Sequence, residues 1–169
     1  MMIELFLKTI TTPVGTLTIF AGDKALFYIS WTDQIEQLLR FVPSLKKQEL
    51  KLKSKNKITN MVEIQLLQYF NHQLTVFDIP LKIEGTPFQK SVWDQLKTIP
   101  YGQTRSYKYI AKTIQKPNAV RAVGIANGRN PIPIILPCHR VIQSNGKLGG
   151  YSAGLWIKDW LLRHEQAIL

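Results

Sequence analysis

Ser106-Tyr-Lys-Tyr-Ile-Ala-Lys-Thr-Ile-Gln-Lys-Pro-Asn-Ala-Val-Arg-Ala-Val-Gly-Ile-Ala126 is the stretch on which the fold turns. Ser106 is a helix-capping residue, and Tyr107, Ile110, Ala111 and Ile114 recur behind it at i, i+3, i+4 and i+7, which predicts a helix over 107–115. Lys116-Pro117-Asn118 breaks that helix, because proline lacks a donor and its predecessor avoids the α region. Asn118 then caps a second helix, with Ala119, Ala122, Val123 and Ala126 facing inward and Arg121 and Ile125 facing out. Two short helices, a tight proline-containing turn and a basic outer face make a helix-turn-helix, with a plain helical hairpin as the bland alternative. The second helix carries few side chains able to read base edges, so binding to DNA is expected to be independent of sequence.

Charge separates the two readings. The chain has a net charge of +11 at pH 7, and no acidic residue falls between Asp94 and Asp159. Lys108, Lys112, Lys116, Arg121, Arg129 and Lys147 all lie in that window. So one-sided a segment calls for an anionic partner, and a nucleic-acid backbone is the commonest; a merely basic surface is the alternative.

C-terminal to the helix pair, Asn130-Pro-Ile-Pro-Ile-Ile-Leu-Pro-Cys-His-Arg-Val141 drives an apolar run into the only cysteine. The prolines predict a stiff extended rail that buries Ile132, Ile134, Ile135 and Leu136. Cys138 at its end is either a buried structural thiol or a nucleophile, with His139 as base and Arg140 as a fixed charge lowering the thiol pKa. Val141 to Leu148 flank Asn145-Gly146, a hairpin signal read as a wing. Gly149 to Gly154 make a loop presenting Tyr151. A closing helix places Leu155, Trp156, Trp160 and Leu161 inward and ends near Glu165, with Asp159 and Arg163 paired at i, i+4.

N-terminal to the pair, Thr86-Pro-Phe-Gln89 reads as a capping box opening a helix through Val92, Trp93 and Leu96. Asp78 to Gly85 read as an extended linker between two domains, residues 1–80 and 84–169. In the first, Ile3–Ile10, Gly15–Ala21 and Ala25–Trp31 predict an antiparallel meander. A short helix follows Asp33, and Lys46–Lys57 reads as a solvated lysine-rich loop. A further helix has Met61, Ile64 and Leu67 at core spacing and ends at Tyr69-Phe70. His72 reads as a surface residue.

A single cysteine forms no internal disulfide, and with three histidines it argues against a structural zinc site. No apolar run approaches the roughly 18 residues of a membrane span, and no signal-peptide pattern opens the chain. A cytoplasmic protein with no membrane partner is expected.

Pro137-Cys-His-Arg-Val141, with Ile99-Pro-Tyr-Gly102, Ser106-Tyr107, Arg121-Ala-Val-Gly124, Asn130-Pro131, Leu148-Gly-Gly-Tyr151 and Leu161-Leu-Arg-His-Glu165, resembles the O6-alkylguanine-DNA alkyltransferases, also called methylated-DNA-protein-cysteine methyltransferases. The match spans about residues 84–166; the first 80 residues match only in size and in their strand-then-helix pattern. The resemblance implies an α+β chain, a small ribonuclease H-like domain followed by a mostly helical winged helix-turn-helix domain. It implies a single-turnover methyltransferase acting as a monomer on double-stranded DNA containing O6-alkylguanine, with O4-alkylthymine as a further substrate left open, and needing neither cofactor nor metal. In that likeness Cys138 is the acceptor, His139 the base acting through a water, Glu165 its orienter, and Asn130 the holder of the thiol's turn. Tyr107 donates a proton to the base and crowds the flanking phosphate, while Arg121 fills the vacated stack. Lys108, Lys116 and Ser144 join the DNA contacts, and Val141, Tyr151 and Ser152 form the base pocket. A cysteine hydrolase would use the same Cys, His and Glu but needs an oxyanion hole that nothing here marks. A transcription factor would use the helix pair without needing a reactive thiol.

Overall fold

The alternating apolar residues of the N-terminal 30 residues form three strands, β1 (Met2–Thr12), β2 (Gly15–Ala21) and β3 (Leu26–Ser30). The computed structural model describes residues 2–31 and 35–168. β1 and β2 pair antiparallel through the two-residue turn Pro13-Val14, and β2 and β3 pair antiparallel in turn. Helix α1 (Ile35–Phe41) follows, while the Asp33 proposed to precede it lies outside the described residues.

The lysine-rich segment predicted as loop instead holds β4 (Glu49–Lys53), parallel to β1, which closes a four-stranded sheet in the order β3-β2-β1-β4. Leu50 packs against the core of Leu5, Phe20 and Tyr28, while Leu52 is 55% exposed. Lysine composition concealed a strand because edge strands use such charge to block pairing with other chains. Lys53 pairs with Glu4 on that edge.

Helix α2 (Lys57–Phe70) begins in a capping box between Asn56 and Thr59. Its buried face is Ile58, Val62, Leu66, Tyr69 and Phe70; Ile64 and Leu67, predicted inward, are 55% and 42% exposed. Two apolar stripes share this helix, and the sheet takes the one that ends in the larger aromatics. The segment read as linker belongs to this unit, since Leu26 donates to the Pro80 carbonyl at 2.8 Å and accepts from the Lys82 amide at 2.9 Å. The chain divides into residues 1–84 and 85–169.

In the second unit, Thr86 and Gln89 close the capping box that starts α3 (Pro87–Lys97), burying Val92, Trp93 and Leu96. β5 (Arg105–Ser106) leads into α4 (Tyr107–Thr113), where the Ser106 hydroxyl accepts from the Tyr109 amide. After the turn comes α5 (Val120–Gly128), which packs on α3 through a Trp93 indole bond to the Ala126 carbonyl at 2.9 Å. Two details of α5 correct the sequence reading. Its N-cap position is Ala119 with no side-chain cap, so Asn118 stays exposed, and Ala122 is exposed while Asn127 is buried.

β6 (Val141–Ile142) pairs in parallel with β5 rather than with the segment returning from Asn145-Gly146. That segment keeps a tight turn, with Gly146 at φ 83° and its amide on the Gln143 carbonyl, but no second wing strand. The chain closes with α6 (Leu155–His164). Its buried residues are Ile157, Lys158, Leu161 and Leu162; Leu155 and Trp156, predicted inward, are exposed. Among the described residues, no helix is long and apolar enough to cross a membrane.

The two faces of α2 are separable by substitution. Leu66→Ala is expected to destabilise by about 2–5 kcal/mol and Ile64→Ala by roughly 0.5 or less, measured by denaturant unfolding. Equal losses would return the Ile64 stripe to the core.

Candidate active site

Proline stiffness alone does not place the cysteine. Residues 130–137 form a compact turn rather than the extended rail: Leu136 N donates to Ile132 O at 2.9 Å, and Ile134 sits at φ 73°. A β-branched residue in the left-handed region is strained and persists only where its surroundings enforce it. Asn130 supplies that enforcement. Its carbonyl oxygen accepts from Ile132 N at 2.9 Å, and its Nδ2 donates to Leu136 O at 2.7 Å. The same Leu136 carbonyl receives the Cys138 amide at 2.8 Å. Ile132, Ile134 and Leu136 are buried, whereas Ile135 is only half-buried.

Cys138 opens a 3-10 turn, Cys138–Arg140, whose three residues are all buried. His139 Nε2 lies 2.7 Å from Glu165 Oε1. Arg140 takes the same carboxylate from the other side, Nε to Oε2 at 2.8 Å and Nη2 to Oε1 at 3.0 Å, and its Nη1 reaches Ile99 O. Burial pushes the Glu165 carboxyl up, but the hydrogen bonds and charges of His139 and Arg140 outweigh it and hold the group well below the usual carboxylate range. An ionised carboxylate only accepts, so the proton on this imidazole edge belongs to Nε2. Burial lowers the His139 pKa despite Glu165, leaving a neutral ring whose buried Nδ1 has no hydrogen-bond partner among the described residues. That nitrogen carries the ring's lone pair and is chemically able to accept a proton.

Arg140 is therefore committed to Glu165 and is not the thiol's fixed charge, as sequence proximity suggested. The cation serving the thiol is Lys158, fully buried on α6. Its ammonium donates to the carbonyls of Val141 (2.6 Å), Leu148 (2.5 Å) and Gly150 (3.3 Å) and to the Tyr107 hydroxyl (3.5 Å). Burial pushes its pKa down to about 8, opposed by Cys138. The thiol itself is pushed up by burial, against Asn130, Lys158 and the Tyr151 hydroxyl, each of which favours the thiolate. This corrects the expectation of a lowered thiol pKa: desolvation is the larger effect, and a neutral His139 supplies no compensating charge. Tyr107 and Tyr151 are both raised, first by burial and then by the Cys138 charge.

Cys138, His139, Glu165, Asn130, Tyr107, Tyr151 and Val141 are thus one cluster. Gly149 lets the loop pass Tyr107, since its φ is 73° and an added Cβ would stand 3.0 Å from the phenol. Arg121, Lys108, Lys116, Ser144 and Ser152 are exposed outside this network, on the helix pair, the turn after β6 and the Tyr151 loop. Lys158 and Asn127 went unrecognised as site residues. Lysine is almost never fully buried unless paired, so only the apolar neighbours Ile157 and Leu161 hinted that position 158 faces inward.

Glu165→Gln tests the shared carboxylate. The folded pKa of Glu165 lies below its unfolded value of about 4.3, so its stabilisation is complete above that pH and is lost as pH falls toward the folded pKa. The variant is expected to melt lower at neutral pH, with the gap to wild type shrinking as pH falls below about 4. A gap independent of pH in thermal melts would contradict the ion pair.

Comparison with known proteins meets this geometry at full length. Residues 87–167 match the family described as 6-O-methylguanine DNA methyltransferase, DNA binding domain, and residues 5–83 its ribonuclease-like domain. A methylated-DNA--protein-cysteine methyltransferase of Methanosarcina barkeri is 44% identical over 164 residues, covering 96% of this chain and 98% of its own. The Mycobacterium tuberculosis O6-methylguanine methyltransferase structure superposes with a TM-score of 0.79 at 42% identity, covering 96% of this chain and 93% of that one. The Mycobacterium tuberculosis OGT in complex with DNA gives 0.80 at 41% identity with the same coverage. The chain belongs to the methylated-DNA-protein-cysteine methyltransferase family.

Proposed function

We propose that Cys138 is the acceptor in direct, irreversible alkyl transfer from O6-alkylguanine in double-stranded DNA. The observation that carries this reading is the buried cysteine beside a neutral histidine whose one protein-bonded nitrogen is held by an Arg-clamped carboxylate. His139 Nδ1 accepts the thiol proton through a water, and Glu165 stabilises the imidazolium that forms. The sulfur attacks the alkyl carbon as its bond to O6 breaks, giving a thioether and a guanine that must gain a proton. Tyr107 donates it. Its acidity is suppressed by burial and, after that, by negative charge on Cys138. Alkylation removes that charge as the leaving group needs the proton, and Lys158 stands 3.5 Å away to stabilise the phenolate.

A target carbon inside a stacked duplex requires the nucleotide to be flipped out. Arg121, exposed on α5, fills the gap; Lys108, Lys116 and Ser144 contact phosphates, with Tyr107 against the flanking one. The flipped base is held by Val141, Ser152 and Tyr151. The thioether ends the protein's activity, so each molecule works once, as a monomer; its lone thiol suits the reducing cytoplasm. No cofactor takes part.

Incubation with excess duplex carrying O6-methylguanine is expected to add one methyl group per protein, located on Cys138 by intact and peptide mass, with none added to Cys138→Ser. Sustained turnover would contradict acceptor chemistry and favour a hydrolase. Arg121→Ala is expected to slow transfer from duplex DNA by roughly tenfold or more, while reaction with free O6-benzylguanine changes little. Equal losses on both substrates would make Arg121 a support of the fold.

A further inference from the structure

Asn127 lies on the inner face of α5, 3% exposed, between Ala126 and Gly128. Its Nδ2 donates to the Cys138 carbonyl at 3.2 Å, and its Oδ1 is buried with no hydrogen-bond partner among the described residues. For packing alone this is a poor choice, because a buried acceptor left unpaired forfeits its hydration and an apolar side chain of similar volume would not. What the asparagine does provide is a donor aimed at one particular peptide. That peptide joins Cys138 to His139, and its planarity ties the nucleophile's carbonyl to the base's amide. Asn130 holds the other side of Cys138 through the Leu136 carbonyl, which also receives the Cys138 amide. Two asparagines three positions apart thus bracket the cysteine backbone, and one of them is part of the helix that carries Arg121.

We propose that Asn127 is a positioning residue for alkyl transfer: it fixes the Cys138-His139 peptide so that sulfur and Nδ1 keep a reactive geometry, and it ties that peptide to the DNA-facing helix. The inference rests on the alkyl-transfer reading above. Small misplacements of reacting groups are known to have large kinetic effects, so the consequence belongs in the rate of transfer rather than in DNA affinity.

Single-turnover transfer separates positioning from folding, because the amplitude counts competent molecules and the rate constant reports chemistry. Asn127→Met, which removes the donor, is expected to transfer methyl from duplex O6-methylguanine at least roughly tenfold more slowly. Amplitude and affinity for unmodified duplex should match wild type. Asn127→Ser, which retains a donor, should recover part of the rate. A wild-type rate in Asn127→Met overturns the proposal, and so does a reduced amplitude whose surviving fraction reacts at the wild-type rate. If Asn127→Met yields no folded protein, Asn127→Ser decides: slowed transfer at full amplitude supports positioning, and an unchanged rate refutes it. Absence of transfer by the wild-type protein would instead remove the reading on which the inference stands.

Discussion

A carboxylate that is 1% exposed must find its compensation inside the protein, and Glu165 finds it in His139 and Arg140 together. Removing one partner of such a group is strongly destabilising, because the other charge stays buried and unpaired. The constraint extends outward. Arg140 is anchored on the Ile99 carbonyl and lies over the Tyr101 ring, and Tyr101 donates to the carbonyl of His164 next to Glu165. The end of α6, the turn after α3 and the cysteine turn are thereby locked to one another by a single side chain. The same lock decides the tautomer of His139, which no feature of that residue alone could decide.

Lys158 is the second buried charge, and its chemistry differs. Among the described residues it is satisfied by three backbone carbonyls and a phenol rather than by a carboxylate. Those carbonyls belong to β6 and the loop after it, so the wall carrying Val141 and Tyr151 is tied to α6 through one ammonium. Burial that lowers its pKa is opposed by the Cys138 charge, so lysine and thiol influence one another.

Much of this was legible in the residues. Ser106, Thr86 and Gln89 cap their helices as read, because capping is a local bond between a named side chain and an amide a few residues on. The meander was legible from alternation, and the family from the order of short motifs around Pro137-Cys-His-Arg-Val141. What escaped depended on distant partners. α2 carries two apolar stripes, and only the sheet decides which is buried. Lys46 to Lys57 looked like loop because charge at a sheet edge and charge in solvent share one composition. Arg140 looked like a cation for its neighbour Cys138, whereas it serves Glu165, 25 residues away. Asn127 and Lys158 were silent because a buried polar residue declares itself only through what it bonds.

The central claim is that burial keeps His139 neutral while Glu165 holds its proton on Nε2, leaving Nδ1 as the base. Nitrogen NMR of protein labelled in its histidine rings, with His139 assigned by its loss in His139→Gln, measures this directly. At neutral pH the spectrum should show a protonated Nε2 and an unprotonated Nδ1. An imidazolium, or a neutral ring with its proton on Nδ1, would contradict it.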